Sequence, residues 1–395
     1  MADRRGVPGP GLRPGDPGDL ADDPGGGPPR GPVARSQLHR QGDACAGGGD
    51  RCRALGRSPV VLAHRRGLWP VRAGRGARDV SGIGVVTNPR SRRNRRDPGV
   101  ARTLSYVLGE RGQLVAPDDL DALDKAAVRF QEHGIEVLCI NGGDGTVHRS
   151  LTAMVRAYGG EPLPPVAILR GGTMNIVADS IGNRVPAEAM LAQVVDAYHT
   201  RSDLPEIQAH MLRIELGDGP PSYGFLSGNG IIARFLELYY EQTDPTPMDA
   251  ARLLARGSLS ALVGGRLIRR LTRPWRGTIT LDGARLAGEE WVAVAIGTVE
   301  QMGLGFRVFH LLLDHPGQLQ VVGIGGSVAN LARDLWPLSR GQGVGRPGNL
   351  TELGRELVLE GDEPQQLMID GDFYVAEGGR VRYTLGPRLR LLLPR

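Results

Sequence analysis

The apolar run Val137-Leu138-Cys139-Ile140 ends in Asn141-Gly142-Gly143-Asp144-Gly145-Thr146-Val147. No other stretch of this chain restricts its fold as much. It reads as a strand that stops, a glycine-cushioned bend around one aspartate, and a helix that begins at Val147. Glycine has no Cβ, so the backbone here can take positive φ and approach a ligand closely. N–H groups converging at such a bend suit a phosphate, and the dipole of the following helix adds to the attraction. Asp144 opposes a bare phosphate. A bridging Mg²⁺ or a hydroxyl to be activated gives it a role. The bend is not a P-loop, because no Gly-Lys-Ser/Thr follows and Lys125 is the only lysine. A capped strand-to-helix turn is the plainer alternative. It fits a lone Gly-Asp-Gly better than this longer string at a strand end, where ligands gather in α/β sheets.

Around this bend the pattern alternates. Strands are expected at Ile83–Thr87, Gln113–Ala116, Glu136–Ile140 and Pro165–Leu169, and helices at Pro98–Gly109, Asp118–His133 and Val147–Tyr158. A further helix follows Gly171-Gly172-Thr173-Met174-Asn175. This rhythm predicts a doubly wound, mostly parallel sheet. Past residue 205 it changes to short alternating segments at His210–Leu216, Gly277–Leu281, Trp291–Ile296, Gln318–Val322, Leu357–Leu359, Gln366–Ile369 and Arg380–Leu385. Gly, Asp and Pro turns separate most of them, as in an antiparallel sandwich or barrel. The segment 232–271 interrupts them with a helical pattern, either a cap over a cleft or a packed insertion.

The first 80 residues stand apart. They hold 17 Gly and 10 Pro with no Lys or Glu, a composition that does not build a core. They are expected to be a disordered tail, or not natural protein at all, with translation beginning near Val80. The net charge of +5 also comes from this segment, which has 14 Arg and 8 Asp; the remainder is nearly neutral. A nucleic-acid partner is therefore not expected. Three cysteines make no disulfide framework or zinc spacing, and Cys139 reads as a buried thiol in a strand. No apolar run is long enough to span a bilayer and no signal peptide is visible, so a cytoplasmic location is the default expectation.

In a parallel sheet three loops would share one edge: Asn88 to Asn94, Gly142 to Thr146, and Gly171 to Asn175. Thr173 and Asn175 can bond phosphate or ribose, or equally cap the next helix. Arg90, Arg92, Arg93, Arg95 and Arg96 can meet phosphates or an anionic membrane surface, though solvation is the simpler expectation for most. Far along the chain, Met368-Ile369-Asp370-Gly371-Asp372 places two carboxylates around a glycine after an apolar strand. Such a pair can hold a metal or divide into a base and an electrostatic partner. Standing alone, it would be a simple Asp-Gly hairpin.

These elements, in this order, resemble the diacylglycerol kinase catalytic-domain family of bacterial lipid kinases, sphingosine kinases and ceramide kinases. The resemblance runs on Asn88-Pro89, Gly142-Gly143-Asp144-Gly145-Thr146, Gly172-Thr173-Met174-Asn175 and Asp370-Gly371-Asp372, and covers Ser81 to the C-terminus. It implies an N-terminal α/β nucleotide-binding domain, a C-terminal antiparallel β-sandwich, and transfer of the γ-phosphoryl group of ATP to a lipid hydroxyl with Mg²⁺. The domains would be 81–204 and 205–377, with 378–395 returning to the first. Asn88, Gly142, Gly143, Asp144, Gly145, Thr146, Val147, His148, Thr173 and Asn175 would bind ATP. Asp144, Asp370 and Asp372 would serve catalysis, Asp372 matching an acid that resembles a general base. Asp144 would also serve Mg²⁺, as would Asp314 in a loop of irregular spacing.

The chain also departs from the family pattern. Arg92 replaces a glycine, Arg149 stands where an acid is common, and Asp372 replaces a glutamate. A base misplaced by about 1 Å can cost on the order of a hundredfold in rate. Two other readings stay open: a kinase for a soluble metabolite such as NAD, whose kinases share the Gly-Gly-Asp-Gly loop, and a nucleotide- or lipid-binding regulator without catalysis. A lipid kinase with this sequence would meet its substrate reversibly at a membrane surface. The residues leave the lipid and the oligomeric state, a homodimer included, undecided.

Overall fold

The computed structural model describes residues 82–240, 248–249, 252–253, 273–303, 305–326 and 328–395. The expected tail (1–80) and most of the helical interruption at 232–271 lie outside the described residues. In the first half the strands are β1 (Ile83–Thr87), β2 (Gly112–Val115), β3 (Val137–Gly142) and β4 (Val166–Arg170). The helices are α1 (Arg92–Arg96), α2 (Val100–Leu108), α3 (Leu120–His133), α4 (Asp144–Tyr158), α5 (Ile176–Ser180) and α6 (Ala187–Thr200). The strands run parallel in the order β2-β1-β3-β4.

Helices cover both faces of this sheet because its strands are apolar on both. Phe130, Leu151, Met154 and Val177 pack on one side, and Leu104, Met190, Leu191 and Val194 on the other. Helix α3 begins where Asp119 accepts the Ala122 N–H at 2.7 Å, and it ends at Gly134 in the left-handed region. Helix α4 starts at Asp144, three residues before the expected Val147, with Gly143 extended at the cap position. An acid in the first turn is favoured by the helix dipole, so the aspartate belongs to the helix rather than the bend.

The second half supplies β5 (Glu206–Leu216), β6 (Ser222–Gly224), β7 (Leu226–Gly230), α7 (Ile231–Tyr240), β8 (Trp275–Arg276), β9 (Thr278–Leu281) and β10 (Ala284–Arg285). It continues with β11 (Glu290–Gly297), β12 (Leu319–Gly325), α8 (Val328–Ser339), β13 (Leu350–Gly354) and β14 (Glu356–Glu360). The chain closes with β15 (Gln365–Ile369), β16 (Asp372–Ala376) and β17 (Arg380–Leu392). One antiparallel sheet runs β13-β12-β11-β7-β15-β16, with β8 on β11. Its inner face packs Trp291, Val294 and Ile296 against Leu357, Leu359 and Tyr383 of the facing sheet, which makes a sandwich.

The facing sheet is continuous with the parallel one. Its order is β10-β9-β14-β17-β4-β3-β1-β2, with β5 on β17 and β6 on β5. The joint is β17: Leu391 pairs with Val166 of β4 in parallel, while β5 and β14 pair with it antiparallel. The sequence pattern ends this strand at Leu385 because Gly386-Pro387 follows. The structure carries it on to Leu392, with a register shift between Leu385 and Arg388. A bulge is where a strand can tolerate proline. The pattern also passes over β7, Leu-Ser-Gly-Asn-Gly, which is entirely buried in the centre of its sheet. Its glycines depress strand propensity, yet a Cβ on Gly228 would come within 2.8 Å of Ile232, so packing rather than propensity selects them.

Candidate active site

At the C-terminal ends of β1, β3 and β4 three loops are laced together. Asn141, fully buried, accepts from Thr87 Oγ1 at 2.9 Å and Asn94 Nδ2 at 2.7 Å. The Asn88 amide donates to Thr146 Oγ1 at 2.9 Å. Arg93 N–H donates to the Gly171 carbonyl at 3.1 Å, and Gly171 N–H to the Gly142 carbonyl at 2.9 Å.

The glycines of the bend are there for space. None of Gly142, Gly143 and Gly145 has positive φ, contrary to the freedom expected from the sequence. A Cβ on Gly142 would lie 2.4 Å from the Thr146 side chain, and one on Gly145 would lie 2.6 Å from Asp372 Oδ1. A Cβ on Gly172 would lie 2.3 Å from the Gly143 Cα, so two loop backbones touch there.

Asp144 joins two loops. Its Oδ1 accepts the Val177 N–H at 3.1 Å and so caps α5 from outside that helix. Burial pushes its carboxyl up to about 6, against the backbone N–H groups of Ile176 and Val177, which pull it down. The cap position of α5 is Asn175, which takes positive φ and makes no side-chain cap. Its amide instead closes on Gly172, accepting the N–H and donating to the carbonyl at 3.0 Å each. Asn175 therefore shapes the loop and does not cap the helix, one of the two roles expected of it, and it is not among the residues that line the cleft described below.

The opposite wall comes from the distant Asp-Gly-Asp. Asp370 and Gly371, at φ 44° and 89°, make the two-residue turn between β15 and β16, with Ile369 paired to Asp372. Asp370 is fully buried and faces away from the cleft. Its two oxygens accept the N–H groups of Phe225 and Leu226, each at 2.9 Å. Burial holds its carboxyl well above the usual range, and the nearby Asp144 and Asp372 add to this. Asp370 is thus a clasp between strands, not a group in the cleft. Asp372 does reach the cleft, where Arg149 Nε donates to its Oδ2 at 2.5 Å.

Between these walls lies a cleft of about 480 Å³. Asn88, Gly143, Asp144, Gly145, Thr146, Thr173 and Asp372 line it, as do Arg90, Arg92 and Arg95. Gly142 ends β3 behind it. Val147 points into the core at 1% exposure. His148 is also turned away, contrary to its expected place at the phosphates. Its Nδ1–H donates to the Tyr223 carbonyl at 2.8 Å, and its Nε2 accepts from the Tyr374 hydroxyl at 2.7 Å. Burial lowers its pKa, and the neutral ring ties α4 to β6 and β16. Asp314 stands on an exposed turn and does not line the cleft. Among the described residues no three His, Cys, Asp or Glu side chains form a metal-binding group.

The sequence reading passed over part of the lining. Pro117 to Leu120, before α3, form one side. The Ser150 hydroxyl also borders the cleft, as does that of Ser91 in the expected Asn88–Asn94 loop, both buried and without a hydrogen-bond partner. The helix beginning near Asp118 was legible in the sequence, but nothing there placed its leading loop over the cleft.

The comparisons agree with this architecture. Residues 82–207 match the family described as the diacylglycerol kinase catalytic domain. No curated protein matches the chain. A crystal structure of a diacylglycerol kinase from Bacillus anthracis str. Sterne superposes with a TM-score of 0.53 at 15% identity, covering 80% of this chain and 97% of that one. A second structure from the same strain, provisionally described as a diacylglycerol kinase, gives 0.56 at 13% identity with the same coverage. At such identities the likeness speaks for the fold. The chain thus resembles the diacylglycerol kinase family in fold throughout its described domains, and residues 82–207 carry that family's catalytic-domain pattern.

Proposed function

We propose that this protein is a lipid kinase that transfers the γ-phosphoryl group of ATP to a lipid hydroxyl. The observation that carries this is the convergence in one cleft of the Gly143–Thr146 bend, the Thr173 loop and Asp372 from the far hairpin. The backbone N–H groups at the start of α4, with Thr146 and Thr173, would bind the phosphates. Phosphoryl transfer is mostly positioning and charge stabilisation, which such a cradle suits. Asp372 would accept the proton of the lipid hydroxyl. The hydroxyl oxygen then bonds to the γ-phosphorus as the bond to the β,γ-bridging oxygen breaks, releasing ADP. Met174 borders the cleft and packs, partly buried, with Met302 and Phe306 on an apolar cluster, an apolar surface for acyl chains.

The residues present fit Mg²⁺. Asp144 is a buried carboxylate at the cleft with its charge incompletely balanced, and it would hold the ion. One or two carboxylates together with substrate phosphates commonly suffice, so a three-acid cluster is not required. When bound, the ion would neutralise charge on the phosphoryl oxygens. No described helix is long and apolar enough to cross a membrane, which suits a reversible approach to the lipid surface.

Incubation with Mg·ATP and a total lipid extract, followed by mass spectrometry, should show one class of newly phosphorylated lipid. ATP binding with no lipid phosphorylated would instead favour a regulator. The Arg149–Asp372 ion pair lends that second reading its support, because it occupies the proposed base.

A further inference from the structure

Arg149 and Asp372, at each of which the chain departs from the kinase pattern, are 223 residues apart in sequence and bonded to each other. Both line the cleft. The Arg149 guanidinium lies 5.9 Å from the centre of the Tyr374 ring, whose hydroxyl is held by His148. The cation is therefore confined between a carboxylate and a fixed aromatic face. Across the carboxylate, Oδ1 lies so close to Gly145 that a Cβ there would come within 2.6 Å. One oxygen of Asp372 is thus bonded to arginine and the other is turned toward the start of α4.

An aspartate reaches one methylene less far than a glutamate and rotates about fewer bonds. A fixed partner can set its direction. The side chains of the pair are 36% and 26% exposed, and a half-solvated ion pair contributes little to folding. Its effect should then fall on geometry. We propose that Arg149 is the positioning residue for Asp372: it holds the short carboxylate by Oδ2 and leaves Oδ1, beside the start of α4, to take the hydroxyl proton. This rests on the lipid-kinase reading above.

The test uses the full chain with Arg149→Gln, Arg149→Lys, Asp372→Asn and the Arg149→Gln/Asp372→Asn double variant. Arg149→Gln should lower kcat by about 10- to 100-fold, the scale of a misplaced catalytic group, with KM for ATP and the melting temperature little changed. Arg149→Lys should recover part of the loss. The double variant should be no slower than Asp372→Asn, because Arg149 acts only through that carboxylate. Multiplicative losses in the double variant, or a rise in KM for ATP alone, would overturn the proposal. The Arg149 Nε–H resonance decides the pairing without any activity. Slow exchange in the wild type that is lost in Asp372→Asn supports it, and fast exchange in the wild type refutes it. An inactive wild type would sink the lipid-kinase reading while leaving this resonance to judge the contact.

Discussion

Two glycine–aspartate turns meet at the cleft, and they are built on opposite principles. In the bend after β3, glycine is needed because neighbouring atoms crowd it, and no φ there is positive. In the β15–β16 hairpin, Asp370 and Gly371 are needed because the turn demands positive φ at both positions. The aspartates differ as well. Asp144 lines the cleft and caps a foreign helix, whereas Asp370 is buried behind it and clasps two backbone N–H groups. The same residue pair therefore says little about role until its surroundings are known.

The strongest challenge to this contrast is to remove each charge. Asp144→Asn keeps an acceptor for Val177 and discards a buried carboxylate. It should abolish phosphorylation yet raise stability at pH 8. A carboxyl raised from 3.8 to about 6 costs up to ~3 kcal/mol when ionised, less any lost hydrogen bonding. Asp370→Asn also removes a carboxyl that burial holds above its usual range, but it turns an amide donor toward one of two buried backbone donors, which costs about 1–3 kcal/mol and offsets that gain. Urea melts of both variants give the difference directly, and an equal or larger gain in Asp370→Asn would erase the distinction.

The glycines come next. Gly145→Ala pushes Asp372 aside and should cost on the order of a hundredfold in rate, while the melt moves little because the atom displaced ends a side chain. Gly371→Ala forces a Cβ into φ 89° and should cost about 1–3 kcal/mol of stability. Equal stability losses in the two variants would contradict the division between space and φ.

The smallest effect concerns pH. His148 is held neutral, with its folded pKa below the unfolded value near 6.5, so its contribution is full above that value and falls as pH drops below it. Asp144 works the other way: its contribution is full below its unfolded value and is lost as pH rises through about 6. Stability curves from pH 7 to 4 should therefore steepen on the acid side in Asp144→Asn and flatten in His148→Gln. Unchanged slopes in both would remove the electrostatic account of this region.

How far the sequence could be read follows from the range of each interaction. The α/β rhythm, the helix expected from Asp118 to His133 and the strand that stops at the glycine bend rest on neighbours within a few residues, although β3 runs on to Gly142 rather than ending at Ile140. The fold class expected from them is the one found. The glycine-rich β7 and the continuation of β17 past Pro387 could not be read locally, because burial and a bulge override propensity there. Asn175 and His148 look like ligands in sequence; in space their polar atoms are taken by Gly172, Tyr223 and Tyr374.

The sequence alone determined the alternating architecture and the loops that a phosphate would meet, because strand periodicity and glycine content act over short stretches of chain. The tertiary structure alone decided that Asp372 enters the cleft while Asp370 is sealed behind it, and that Arg149 is the partner waiting there. The pairing of β15 with β7, which joins Leu367 to Asn229 and Ile369 to Ser227 across a long stretch of chain, sets those positions, and no local pattern encodes which carboxylate a hairpin will turn outward.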